Sequence, residues 1–325
     1  MKRIVISIAL ACCLCTTQAQ EKTFKPFKQL DFGVTLGTTG IGFDVAMPVH
    51  EMVKLRTGFE VMPRFNYDMH FNVESFDGEG TPTGATLDRM SEVLYGLTGF
   101  KVNQNVTMKG KPTLWNFKFL VDVYPFKNKH WHITAGFHWG PSKIAEAVNA
   151  QEDSPSLFAV GMYNHLWDCA YYDEPIMTIE GIGEVSFDDN IRQRIINMGR
   201  MGIPLGKFSH DVTDVYGVEH KKGETYYMEP NENSMVYADA RANSFKPYLG
   251  FGYEGRLIKN NDKYHIGFDA GVMFWGGTPS IMTHEGIDLA KDVEDIGGKV
   301  GSYVKFVKGI KVYPVINLRI TRTIF

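Results

Sequence analysis

The chain has 325 residues, 34 basic and 37 acidic side chains, a formal charge of −3, 33 glycines and 13% aromatic residues. Near-neutral charge with dispersed basic residues gives no electrostatic footprint for nucleic acid, so no nucleic-acid partner is expected. Three of the four cysteines, Cys12, Cys13 and Cys15, fall in the leader described next, which leaves only Cys169 and no internal disulfide.

Residues Met1 to Gln20 begin with Lys2 and Arg3, continue through an apolar run from Ile4 to Leu14, and present the small residues Thr17 and Ala19. This reads as a cleaved secretory signal peptide over residues 1–19. Acylation at Cys12 fits poorly, because Ala9-Leu10-Ala11 is a weak match and the apolar run before it is very short. No later segment reaches the roughly 20 apolar residues of a spanning helix. Residues 20–29 are taken as a periplasmic N-terminal segment, and any passage through a membrane over 30–325 must use strands.

Two-residue alternation supplies those strands, because a barrel strand shows one face to lipid and the other to the lumen. Short runs occur at Leu30–Leu36 and Ile41–Met47. From Val53 to Phe65, Val53, Leu55, Phe59, Val61 and Phe65 oppose Lys54, Arg56, Glu60 and Arg64. From Trp115 to Val123 an aromatic and aliphatic set opposes Asn116, Lys118 and Asp122, with Leu120 as an exception. From Trp131 to Trp139 the polar face carries His132, Thr134, Gly136 and His138. Further strands are read at Leu249–Tyr253, Tyr264–Trp275 and Lys311–Phe325. In Tyr264–Trp275 the polar face ends on the misfits Met273 and Trp275.

The links between these strands alternate in length. Tight links fall at Pro48–Met52, Lys127–His130 and Ile258–Asp262, whereas long connections cover about 66–112, 141–245 and 276–310; only Thr38-Thr39 is short where a long one is expected. Long connections of this kind carry structure of their own. Asp188–Met198 and Asp288–Ile296 are expected to be helical, the second stopped by Gly297-Gly298. Pairing of Thr225–Met228 with Met235–Ala238 would raise the count from eight strands to ten. The expected fold is an all-β, antiparallel up-and-down transmembrane β-barrel with long, partly helical extracellular loops.

In the last strand Ile316, Leu318 and Ile320 face outward and Asn317 and Arg319 inward, and Phe325 is an aromatic ending of the kind that serves as an insertion signal. Unbroken alternation would place Arg322 on the lipid face, a costly position away from the interface. A one-residue bulge within Thr321–Thr323 is therefore expected.

Five stretches carry a resemblance: Gly37–Phe43, Phe119–Phe126, Lys246–Tyr253, Phe268–Phe274 and Tyr313–Ile316. Together they resemble a family of small, largely uncharacterised Gram-negative outer-membrane β-barrel proteins. The resemblance covers about half of the chain after the leader and omits the connection from Pro141 to Asn243. It implies a fold and an outer-membrane location, with little about activity.

The inward parity collects Asp31, Asp44, Lys54, Arg56, Glu60, Arg64, Lys118, Asp122, Glu254, Asp269 and Arg319. Eight strands leave room only for side chains, and buried charges persist when paired. A charge network filling the lumen is expected over a charged solute path. His165, Asp168, Cys169, Asp173 and Glu174, with His210, Asp211, Asp214 and His220, lack recognised metal-ligand spacing and read as solvated loop residues. His165 with Asp168 is the only pairing that suggests a hydrolase. No catalytic residue, cofactor or metal is assigned. Tyr163, Trp167, Tyr171 and Tyr172 form either an exposed contact surface or the core of a folded cap.

The expected function is a non-enzymatic outer-membrane barrel presenting extracellular loops to a ligand or partner, with both termini periplasmic. Its expected partners are outer-membrane lipid, the barrel-insertion machinery and an extracellular ligand or protein that the sequence does not identify. A narrow passive channel is the alternative. An outer-membrane hydrolase and a soluble secreted β-barrel binder rank below it.

Overall fold

The computed structural model describes residues 29–325 apart from 79, 84–90, 93, 97–98, 100–102, 104 and 260; the leader and residues 20–28 lie outside the described residues. Eight antiparallel strands close in chain order into a barrel: β1 (Asp31–Gly37), β2 (Gly40–His50), β3 (Val53–Val61), β4 (Trp115–Val123), β5 (Trp131–Trp139), β6 (Phe245–Ile258), β7 (Asn261–Phe274) and β8 (Val312–Thr323). The ring is completed by β8 pairing back on β1. Alternation dictates which side chains enter it, and the outcome inverts a soluble protein. Val34 is 52% exposed and Phe251 54% on the outside, whereas Lys118 is 1% exposed, Arg56 2% and Asp122 0% inside. An apolar exterior around a charged interior is the arrangement that a bilayer solvates.

Aromatic rings collect at both rims of this exterior. At the rim nearer the termini Trp131 meets Tyr253 edge-on at 5.2 Å. At the opposite rim Trp115 packs on Phe59 at 5.5 Å and on Trp139 at 6.4 Å. Such amphipathic rings belong at the level of lipid headgroups. The β1–β2 turn is closed by Gly40, which has a φ of +108° and where an added Cβ would lie 2.1 Å from the Val61 carbonyl oxygen, so no side chain is admitted.

Four sequence expectations need correction. Thr225–Met228 pairs with Arg200–Phe208, while Tyr237–Arg241 pairs with Lys143–Asn149 and Ser280–Thr283; the alternative hairpin does not form and the barrel has the expected eight strands. Residues 288–296 form a turn built on Asp288, which accepts from the backbone N–H groups of Ile281 and Ala290, and then a short strand. Gly297-Gly298 therefore begins a helix (Gly298–Gly309) rather than ending one. Strand β3 stops at Val61, leaving Phe65 beyond the barrel. The register of β8 runs without a shift through Arg322 and Thr323 against both neighbours, so there is no bulge. Arg322 instead lies outward at the terminal rim, its guanidinium 5.7 Å from the Tyr264 ring, where water is at hand and the cost of the charge is small. Phe325 follows the strand and is 64% exposed.

The long connections all leave the rim opposite the termini, and they build upon the barrel. A five-stranded sheet in the order Ser280–Thr283, Tyr237–Arg241, Lys143–Asn149, Asn105–Pro112, Tyr67–Asn72 repeats the barrel order β7, β6, β5, β4, β3. Hydrogen bonds from Met62 to Leu114, Thr113 to Ile144, Gly140 to Ser244 and Asn243 to Trp275 carry each pairing across the gap. Five barrel strands thus flare outward into an open sheet. A second layer covers it: the strand Arg200–Phe208 with its partners, and the helices α1 (Ser154–Tyr172), α2 (Asp189–Met198) and α3 (Gly298–Gly309). Between the layers lies an apolar core that includes Phe71, Val106, Leu157, Trp167, Met201 and Phe208. The molecule has two interiors, an ionic one in the barrel and an apolar one in the cap.

Val34 stands midway along β1, outward between Phe43 and Ile320. Replacing it by arginine is expected to cost about 2–4 kcal/mol of stability, whereas Arg322→Leu at the rim should change it by under about 1 kcal/mol. Urea titration of the barrel in lipid vesicles measures both; equal effects would contradict the membrane level inferred from the girdles.

Candidate functional site

The lumen is filled in tiers. In the middle tier Arg56 donates to Asp269 through both terminal nitrogens, at 2.8 and 3.2 Å, and to Asp122 at 3.0 Å, with Asp44 at 3.9 Å. His132 Nε2 reaches Asp269 at 2.9 Å, and the Thr134 hydroxyl donates to Asp122 at 2.7 Å. Towards the cap, Lys118 lies 2.7 Å from Asp44 and 3.5 Å from Glu60, while Glu60 also pairs with His138 and accepts from Thr39. Towards the termini, Lys54 joins Asp31 at 3.1 Å and Glu254 at 3.3 Å, and Arg319 reaches Glu254 at 3.3 Å. Every tier pairs side chains from strands far apart in sequence.

Between Asp31, Asp44, Lys54, Glu254 and Arg319 the remaining cavity offers ≈ 0 Å³ to a water-sized sphere. On the inner wall of β4, β6, β7 and β8, Leu120 and Met273 pack with Tyr248 and Val315 against Tyr313, and Trp275 lies 5.1 Å from Tyr313. The three residues that break the alternation thus belong to one apolar cluster inside the barrel. The terminal mouth widens into a vestibule of ≈ 320 Å³ bordered by His50, Tyr124, His130 and His265.

Ten of the eleven charges expected inside take part in these contacts; Arg64 follows the end of β3 and is exposed, so it lines no lumen. His132, His138 and Lys246 belong to the network although sequence reasoning did not single them out. The same two-residue parity places all three: both histidines lie on the polar face of β5, and Lys246, on the inward face of β6, donates to Asn116 at 3.2 Å.

In the cap, Tyr163 and Trp167 are not a presented surface. They are 3% and 2% exposed, and they donate to the carbonyl oxygens of Gly199 and Ile196 at the end of α2. Asn164 beside them grips the backbone of Met201 on both sides, at 2.8 and 2.9 Å, and so fastens α1 to the second layer. Tyr171 and Tyr172, 46% and 64% exposed, continue the aromatic run to the surface: Tyr171 stacks on Trp167 at 4.6 Å and Tyr172 meets Tyr171 edge-on at 5.1 Å. The helix carries the aromatic run from core to rim.

These rings form one wall of a cleft of ≈ 770 Å³ that lies between the end of α1 and the hairpin of Val212–Thr213 with Glu219–His220. On its floor Arg200 is held by Glu229, at 2.9 Å through Nε, and by Asp168, with its guanidinium 5.5 Å from the Trp167 ring. Glu285 accepts from the Tyr226 hydroxyl at 2.5 Å and from the Glu229 N–H at 2.9 Å. Burial, reinforced by the neighbouring Glu229 and Asp214, pushes the Glu285 carboxyl up to about 7. Burial likewise raises Glu229 and Asp168, against the pull of Arg200.

The remaining titratable residues are distributed over the cap. Asp168 is engaged by Arg200, while His165 Nε2 lies 3.9 Å from the Cys169 sulfur. Asp173 pairs with Arg192, His210 with Asp292, and His220 lies 3.5 Å from both Asp214 and Glu224. Asp211 pairs with Lys221, and Glu174 lines the cleft.

No family model matches this chain, and no curated protein does. Among solved structures, Acinetobacter baumannii CarO2 aligns with 11% identity over 92% of this chain and 100% of its own, at a TM-score of 0.37. Acinetobacter baumannii CarO aligns with 11% identity over 93% of this chain and 99% of its own, at 0.36. The barrel assignment rests on the strand pairing described above.

Arg56→Ala would leave Asp122 and Asp269 buried without their shared cation. Breaking one partner of such a cluster costs about 3–5 kcal/mol. Urea unfolding in vesicles should show that loss, with much of it recovered when Asp122→Asn and Asp269→Asn are added.

Proposed function

We propose that this chain is a non-enzymatic outer-membrane barrel whose lumen is sealed and whose cap is presented at the cell surface to a ligand or partner. The observation that carries the reading is the middle tier, in which Arg56 is bound on several sides by carboxylates from β4 and β7. A solute path would require this ion to leave its partners in a low-dielectric interior, which is costly. The apolar belt between two aromatic rims supports a bilayer location. Short links at one end and long ones at the other support an orientation with both termini in the periplasm and the cap outside. The apolar core under the cap supports loops that act as a folded, pre-organised surface.

In planar bilayers the purified protein is expected to give no steady conductance, and loaded vesicles containing it should not swell in small solutes. Steady, large conductance would favour the narrow-channel reading instead. Protease added to intact cells should cut the exposed hairpin around Tyr216, which is 61% exposed, and leave the short turns of the other rim untouched.

A further inference from the structure

The charge of the cap cleft is one-sided. Its lining includes eight carboxylate residues, among them Asp77, Asp214, Glu224, Glu232 and Glu285, against the single guanidinium of Arg200, which Glu229 and Asp168 already hold. Aromatic residues line it as well: Trp167, Tyr171 and Tyr172 from α1, together with Tyr216 and Tyr227. Tyr227 stacks on Phe76 at 3.8 Å, is only 7% exposed, and its hydroxyl oxygen has no hydrogen-bond partner among the described residues. A buried phenol without a partner is a costly arrangement that a ligand donor relieves. Flat π-faces together with carboxylates select a positively charged organic group, which gains from both.

A metal ion is the other cation to weigh. Among the described residues no group of three or more His, Cys, Asp or Glu side chains converges closely enough to hold one. The cleft is also far larger than a coordination sphere and falls within the size range of small-molecule sites.

We propose that the cap cleft binds a small organic cation, an amine, amidinium or guanidinium carried on a flat or apolar body, between the α1 aromatics and the 212–220 hairpin. The proposal deepens the reading of a ligand-presenting cap and names its ligand class. The charge meets the cleft carboxylates, the body stacks on Tyr171 and Tyr172, and a donor hydrogen reaches the Tyr227 oxygen. Acidity tunes the site. Glu285 faces Tyr226, Glu229, His284, Asp214 and Tyr216, and its carboxyl near 7 is charged above that pH and neutral below it. Protonation of Glu285 removes a negative charge from the cleft. Affinity for a cation therefore falls as pH drops from 8 to 6.

Calorimetric titration of the full chain in detergent micelles, at fixed ionic strength, tests this with three matched probes: benzamidinium, neutral benzamide and anionic benzoate. Expected are saturable one-to-one binding of benzamidinium, at least tenfold weaker binding of benzamide, and none of benzoate. Tyr172→Ala and Glu232→Gln, both exposed, should weaken benzamidinium severalfold, and Glu285→Gln should flatten part of the pH dependence. Equal affinity for benzamide, binding of benzoate, or no benzamidinium binding at millimolar concentration overturns the proposal. So does displacement of the probe by micromolar calcium, or binding of hexalysine without benzamidinium. The wild-type series decides even if a variant fails to fold. Because the conductance measurement is independent, a conducting barrel that still binds benzamidinium would refute the sealed lumen and leave the cleft assignment standing.

Discussion

Closure of the barrel depends on the ion cluster around Arg56. Eight strands enclose a space narrow enough for side chains to fill, and it is lined by the polar parity of every strand, so its contents must be polar, large and mutually satisfying. Arg56 meets Asp122 and Asp269, contributed by β4 and β7, while Lys118 reaches back across to Asp44 on β2. The Arg56–Asp269 and Lys118–Asp44 contacts join strands that are not neighbours in the ring. The backbone ladder gives the wall its shape, and the ionic cluster determines what fills it and which register of strands is tolerated.

The apolar cap core answers a different need. A sheet extended beyond a bilayer would leave an apolar face in water unless something covered it, and the second layer with α1 does so. Tyr163, Asn164 and Trp167 are the pins of that cover: each donates to a backbone carbonyl of the layer it holds. The same helix therefore has a structural half and an exposed half, with Tyr171 at the boundary.

The barrel was largely legible in the sequence because lipid and lumen impose a period of two on both faces. That rule alone recovers Trp115–Val123 and Trp131–Trp139 to the residue. Even its violations are informative, since Leu120, Met273 and Trp275 belong to the apolar cluster inside the barrel. The rule fails where the membrane stops constraining the chain. Arg322 looked like an error to be repaired by a bulge, but at the rim a charge is tolerated beside Tyr264. The cap was hardly legible. Helix α1 exposes Phe158 and Met162 on the face opposite its buried residues, which erases the amphipathic signal. Tyr237–Arg241 finds its partners at Lys143–Asn149 and Ser280–Thr283, far off in sequence, because those neighbours are inherited from the barrel below. The cleft, made from five separate stretches, left no mark in any one of them.

The continuation of β3 to β7 into the cap sheet has a mechanical meaning. Loops that merely hang from a barrel transmit little force, because their tethers bend first. Here the hydrogen bonds at Met62, Thr113, Gly140 and Asn243 carry the ladder across the rim, so a pull on the cap loads many backbone bonds side by side, in shear. Anything gripped by the cap is held at a fixed height and angle above the bilayer, as on a rigid mast.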